Sequence, residues 1–138
     1  MYSNGYGVLK DKAEAVKWWR LSAEQGNVYA QDDLGLMYFN ADGVPRDFAE
    51  ALKWFSLAAK QGRAEAQSKL GLMYLKGWGI LKDSLTAHMW YNIASANGSN
   101  GAGQRRDRLE ALMTADAIEK ATTMAKECMA SDYKKCGY

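Results

Sequence analysis

Ala30-Gln31-Asp32-Asp33-Leu34-Gly35-Leu36-Met37-Tyr38 decides the fold, because Ala66-Gln67-Ser68-Lys69-Leu70-Gly71-Leu72-Met73-Tyr74 repeats it 36 residues later. In each copy the apolar residues (Ala30, Leu34, Met37, Tyr38 and Ala66, Leu70, Met73, Tyr74) fall at steps of four, three and one, which is one face of an α-helix. The break Asn40-Ala41-Asp42-Gly43-Val44-Pro45 follows, with the only proline to stop the helix and a glycine that permits a left-handed backbone. A second helix then opens at Asp47-x-x-Glu50, as it does at Asp11-x-x-Glu14. There a side-chain oxygen accepts an orphan amide and the acid three residues on reaches back. Asp83 keeps the cap, with Thr86 in the fourth position. Ala15, Trp18, Ser22 and Ala51, Trp54, Ala58 give the second helix its expected buried stripe, with Gly26 and Gly62 just past its end.

Working outward, the same 36-residue step links Tyr2, Tyr38 and Tyr74, then Gly7, Gly43 and Gly79, then Trp18, Trp54 and Trp90. The expected units are about 1–26, 27–62 and 63–98 of a single domain over 1–138. After Gly98 the pattern decays, since Arg106 answers Leu70 and Asp107 answers Gly71, so 99–138 reads as a cap. Its last helix starts at about Thr114, with Asp116 in the first turn and Ile118, Ala121, Ala125 and Cys128 inward. The fold class is all-α: a right-handed α/α superhelical solenoid of helix-turn-helix units with a C-terminal capping helix. Residues 1–10 are expected to be the linker remnant of a unit whose first helix is absent. The helix from about 12 to 25 then presents a face for a second copy, making a homodimer one expected partner arrangement.

The run Ala30-Gln31-x-x-Leu34-Gly35-x-Met37-Tyr38, followed by Gly43-Val44-x-x-Asp47-x-x-x-Ala51-x-x-Trp54-x-x-x-Ala58-Ala59-x-x-Gly62, resembles the Sel1-like repeat, a relative of the tetratricopeptide repeat. The resemblance recurs from Ala66 to Ile80 and covers roughly residues 2–113. It implies a solenoid whose concave face docks proteins or peptides, without shared catalytic residues or a cofactor. Some cysteine-rich members are linked to recognition of β-lactams or the cell wall, which keeps a cell-envelope module for peptidoglycan or β-lactam-like ligands as the alternative. Those members carry a cysteine pair in each repeat, whereas Cys128 and Cys136 both lie near the C-terminus here.

Composition excludes other classes. With 138 residues, 48% hydrophobic and 25% charged, the chain has enough apolar surface to fold as one domain. No window approaches the ~18 apolar residues of a membrane span, and no signal-like segment opens the chain. A formal net charge of +2 supplies no basic field for nucleic acid, and Gln104-Arg105-Arg106-Asp107-Arg108 is interrupted by an acid. No GxSxG, HExxH, Walker loop or dinucleotide fingerprint is present, so no enzyme, cofactor or metal reading has support. His88, standing where Val16 and Leu52 stand, reads as structural.

Trp54 and Trp90, like Trp18, recur among alanines and are expected in the core; the second aromatic of each pair (Trp19, Phe55, Tyr91) points ~100° away around the helix. Gly35 and Gly71 inside helices imply a close crossing, because glycine there costs ~1 kcal/mol against alanine. Candidate binding residues share a face of the first helix without recurring. They are Tyr29, Asp33, Leu36 and Asn40, then Glu65, Lys69, Leu72 and Lys76, then Gly101, Arg105, Arg108 and Leu112. Side by side they give a groove with apolar Leu36 and Leu72 near its middle, or else a solvated surface with packed leucines. Tyr6 and Trp78 occupy matching loop positions, as exposed contacts or folded back on a helix. Cys128 and Cys136 read as a disulfide pinning the cap, which would place the chain in the periplasm or outside the cell; two free thiols would leave it cytoplasmic.

Overall fold

A computed structural model describes the backbone of residues 5–137 and the side chains of residues 12–137. Seven helices follow in order: α1 (Gly5–Glu24), α2 (Val28–Asn40), α3 (Phe48–Lys60), α4 (Ala64–Lys76), α5 (Ser84–Ala96), α6 (Ala102–Glu110) and α7 (Ala115–Ala130). Successive helices from α1 to α6 pack on one another, and α7 returns to α5.

The caps that the sequence marks at Asp47 and Asp83 form. Asp47 accepts the Glu50 amide at 3.1 Å and Asp83 the Thr86 amide at 3.1 Å. Asn27 caps α2 by accepting from Ala30 at 2.9 Å, and Thr114 caps α7 by accepting from Ala117 at 3.1 Å. Gly26, Gly62 and Gly98 all take the left-handed backbone, with φ of +94°, +90° and +94°, as the residues past α1, α3 and α5. Glu50 departs from the capping box: its carboxylate accepts the Trp54 indole N–H at 3.1 Å, because the Asp47 amide is already given to the Tyr38 carbonyl.

That last bond explains the main departure at the N-terminus. The loops before α3 and α5 are tied to the preceding helix by Asp47 N–H to Tyr38 and Asp83 N–H to Tyr74, at 3.1 and 2.9 Å. Among the described residues no helix before α1 supplies such a carbonyl, and residues 5–10 run on as the first turns of α1. The expected linker is therefore helical from Gly5, and Asp11 lies inside a helix; residues 1–4 and the Tyr6 side chain lie outside the described set.

The core follows the repeat. Trp54 and Trp90 are buried, and so are their neighbours Phe55 and Tyr91. Trp18 is 69% exposed instead. Trp54 packs on Val16, Ala23, Ala30 and Leu34 of the preceding helix pair, and among the described residues no such pair faces Trp18. α1 thus buries Val16, Trp19 and Ala23, one residue round from the expected stripe of Ala15, Trp18 and Ser22.

Glycine sets the helix spacing. A methyl on Gly35 would lie 2.8 Å from the Phe55 ring, and one on Gly71 2.8 Å from the Tyr91 ring. The second aromatic of each pair fills the space left by the absent side chain. A polar ladder runs through the same interfaces. Gln31 and Gln67 donate to the Ala23 and Ala59 carbonyls of the preceding unit, at the ends of α1 and α3, while Gln61 and Asn97 donate to Gln31 and Gln67 from the far end of the same unit. Each buried amide therefore has a partner, which removes most of its desolvation cost. At the C-terminus a Cys128–Cys136 disulfide, buried at both sulfurs' residues, closes the tail onto α7.

Candidate functional site

The first helix of each unit, α2, α4 and α6, carries the non-recurring side chains, and the valleys between these helices differ. Between α2 and α4 the valley is full. Phe39 lies edge-on to Phe55 and Phe48, at 6.2 and 5.5 Å between ring centres. Trp78 folds back to stack on Phe48 at 5.4 Å and comes within 5.8 Å of Phe39. Lys69 Nζ stands 5.2 Å above the Phe39 ring. Trp78 is therefore a packing residue, the second of its two sequence readings.

One period later the corresponding residues are Leu75 for Phe39, Ser84 for Phe48, Tyr91 for Phe55, Arg105 for Lys69 and Thr114 for Trp78. Three aromatic rings have gone. The valley between α4 and α6 opens into a pocket of about 300 Å³ lined by Leu72, Leu75, Tyr91, Leu109, Leu112 and the two arginines Arg105 and Arg108. Leu112 is 86% exposed at its rim. Tyr91 is buried, and its hydroxyl makes no hydrogen bond among the described residues. Burial pushes that phenol above its ordinary pKa, opposed by the nearby positive charge of Arg105.

The other predicted residues are dispersed along the same side. Asp33, Leu36 and Asn40 line a separate depression of similar size beside Trp19 of α1. Tyr29 and Glu65 meet at the interhelical turns around Arg63, whose guanidinium lies 5.0 Å over the Tyr29 ring and 3.4 Å from Glu65. Arg63 also donates to Asp32 at 3.0 Å. Burial raises the Asp32 pKa and Arg63 pulls it back down. Lys76 is exposed in the last turn of α4, and Gly101 caps α6 with φ of +86°. Leu72, Arg105, Arg108 and Leu112 are thus the predicted residues that share one pocket. Leu75, Tyr91 and Leu109 were hidden by their place in buried columns of the repeat. Their signal was the exchange of Phe39 for Leu75 and of Trp78 for Thr114, which a search for recurrence discards.

His88 is fully buried, with Nε2 2.8 Å from Glu110, and ties α5 to the end of α6. No group of three or more metal-ligating side chains occurs among the described residues. Among them, no helix is long and apolar enough to cross a membrane.

The Sel1 repeat model matches residues 1–27, 28–62 and 64–99. The chain belongs to the Sel1 repeat family. Among solved structures, its Sel1 repeats are similar to a protective antigen present in uropathogenic Escherichia coli strains that displays an SLR fold. The TM-score is 0.81 and the identity 31%, over 88% of this chain and 27% of that protein. A Sel1 repeat protein from Oxalobacter formigenes is 40% identical with a TM-score of 0.66, over 69% of this chain and 71% of that one. None of the curated proteins matches the chain. Sel1 repeats are commonly protein-interaction modules and generally non-catalytic scaffolds.

Proposed function

We propose that this Sel1 repeat domain is a non-catalytic docking module that binds a protein or peptide on its concave face, along α2, α4 and α6. The observation that carries this reading is the pocket between α4 and α6, where leucines surround a recess edged by two arginines. Buried apolar anchors beside a charged rim are how protein interfaces concentrate their energy. Asp33, Leu36, Asn40, Tyr29, Glu65, Lys69 and Lys76 extend the surface away from this pocket. The test compares capture of proteins from source-cell extracts by the parent domain and by Leu36→Asp/Leu72→Asp, once circular dichroism shows the variant folded. A protein held by the parent and lost by the variant supports the reading; equal capture by both overturns it.

The Cys128–Cys136 disulfide favours an oxidising compartment, periplasmic or extracellular. Such a compartment is where a second reading, recognition of a peptidoglycan or β-lactam-like ligand in the cell envelope, would operate, although the single C-terminal pair departs from the per-repeat cysteine pairs of the members linked to it. Binding of purified muropeptides by the domain, without any protein captured, would favour that reading. Self-association through the outer face of α1, which exposes Trp18 and Leu21, is a further proposal.

A further inference from the structure

We propose that the α4–α6 pocket receives an aromatic side chain from a partner segment whose flanking residues are acidic, an inference that rests on the docking function above. The molecule supplies the template for its own ligand. In the valley between α2 and α4, Phe39 occupies the slot against Phe55 and lies beneath the Lys69 ammonium. In the next valley Tyr91 replaces Phe55 and Arg105 replaces Lys69, but Leu75 is too short to fill the place of Phe39, and Trp78 has no aromatic counterpart. The walls and the cation of an aromatic slot remain without its ring.

An incoming ring would lie among Leu72, Leu75 and Leu109 with the Arg105 guanidinium over its outer face, a cation–π arrangement in which arginine is favoured. Arg105 and Arg108 are both exposed at the edge, which selects carboxylates on either side of the anchor.

The probe is a blocked nine-residue peptide with a central phenylalanine between aspartates and glutamates, labelled with fluorescein and titrated with the intact domain by anisotropy. Replacing the phenylalanine by alanine, or the acids by lysines, is expected to weaken binding at least about tenfold. Leu75→Phe, which refills the slot as Phe39 does, should abolish binding without lowering the melting temperature. Arg105→Glu, on an exposed side chain, reports independently and should weaken binding at least about tenfold.

Binding that ignores the aromatic residue, or that survives Leu75→Phe and Arg105→Glu, overturns the proposal. So does self-association dispersed by both Trp18→Ala and Leu75→Phe, which would make a second copy the occupant. Peptides selected from a random library that bind α4 and α6 without acids or an aromatic would remove this inference and leave the docking function standing. No peptide bound, together with extract capture insensitive to Leu72→Asp, would remove both.

Discussion

Gly71 shows how one missing side chain can set a helix interface. Its glycine costs the helix ~1 kcal/mol in propensity, and the Tyr91 ring occupies the space a methyl would need. Gly71→Leu is expected to lower stability by roughly 3 kcal/mol or more through overpacking, measured by urea unfolding. An unchanged midpoint would contradict the close crossing. Asp32 poses the opposite question, a buried charge with one oxygen on Arg63 and the other without a hydrogen bond. Because folding raises its pKa above 3.8, the folded chain binds the proton more tightly than the unfolded chain. Its contribution therefore improves as pH falls through the folded value and levels off below the unfolded one. The stability of the parent relative to Asp32→Asn should rise between about pH 7 and about pH 4, and a fall over that window would contradict the assignment.

At the scale of the element, α1 and α7 show what the repeat can and cannot foretell. The stripes of α2, α3, α4 and α5 were legible because each residue meets the same neighbours 36 residues on. α1 broke the rule at Trp18 because burial there depends on a neighbouring unit, which periodicity assumes and no described residue supplies. Trp18→Glu is accordingly expected to leave unfolding stability within about 0.5 kcal/mol of the parent, as for a surface site, while Trp54→Ala costs about 3 to 5 kcal/mol. If α1 pairs with a second copy, light scattering should show the parent dimer and the Trp18→Glu monomer at equal concentration; a monomeric parent sinks the pairing. The α7 helix was legible from its cap and apolar spacing, and its return to α5 ends the array. The disulfide joins residues eight apart, closing a loop that stabilises by about 2.5 kcal/mol in the chain-entropy model. Reductant should lower the parent's melting temperature and leave that of Cys128→Ser/Cys136→Ser unchanged. No effect on the parent would mean the bridge contributes nothing.

Across the whole molecule, contacts run mainly between neighbouring helices, so each unit is a local solution and the surface is free to vary from one valley to the next. Recurrence identified the fold for that reason, and for the same reason it was a poor guide to the site. Arg105 and Arg108 were visible as non-recurring surface residues, and Leu72, which repeats Leu36, as the apolar centre of that face. The recess they surround arises from the loss of equivalents of half-buried Phe39 and Trp78, and only packing in three dimensions shows that this loss leaves a space. Docking of partners along α4 and α6 is read out by hydrogen exchange of the domain alone and with a captured partner. Slowed exchange in residues 69–76 and 102–112, with residues 48–60 and 115–130 unaffected, is the expected result. Protection confined to α3, α5 and α7 would contradict it.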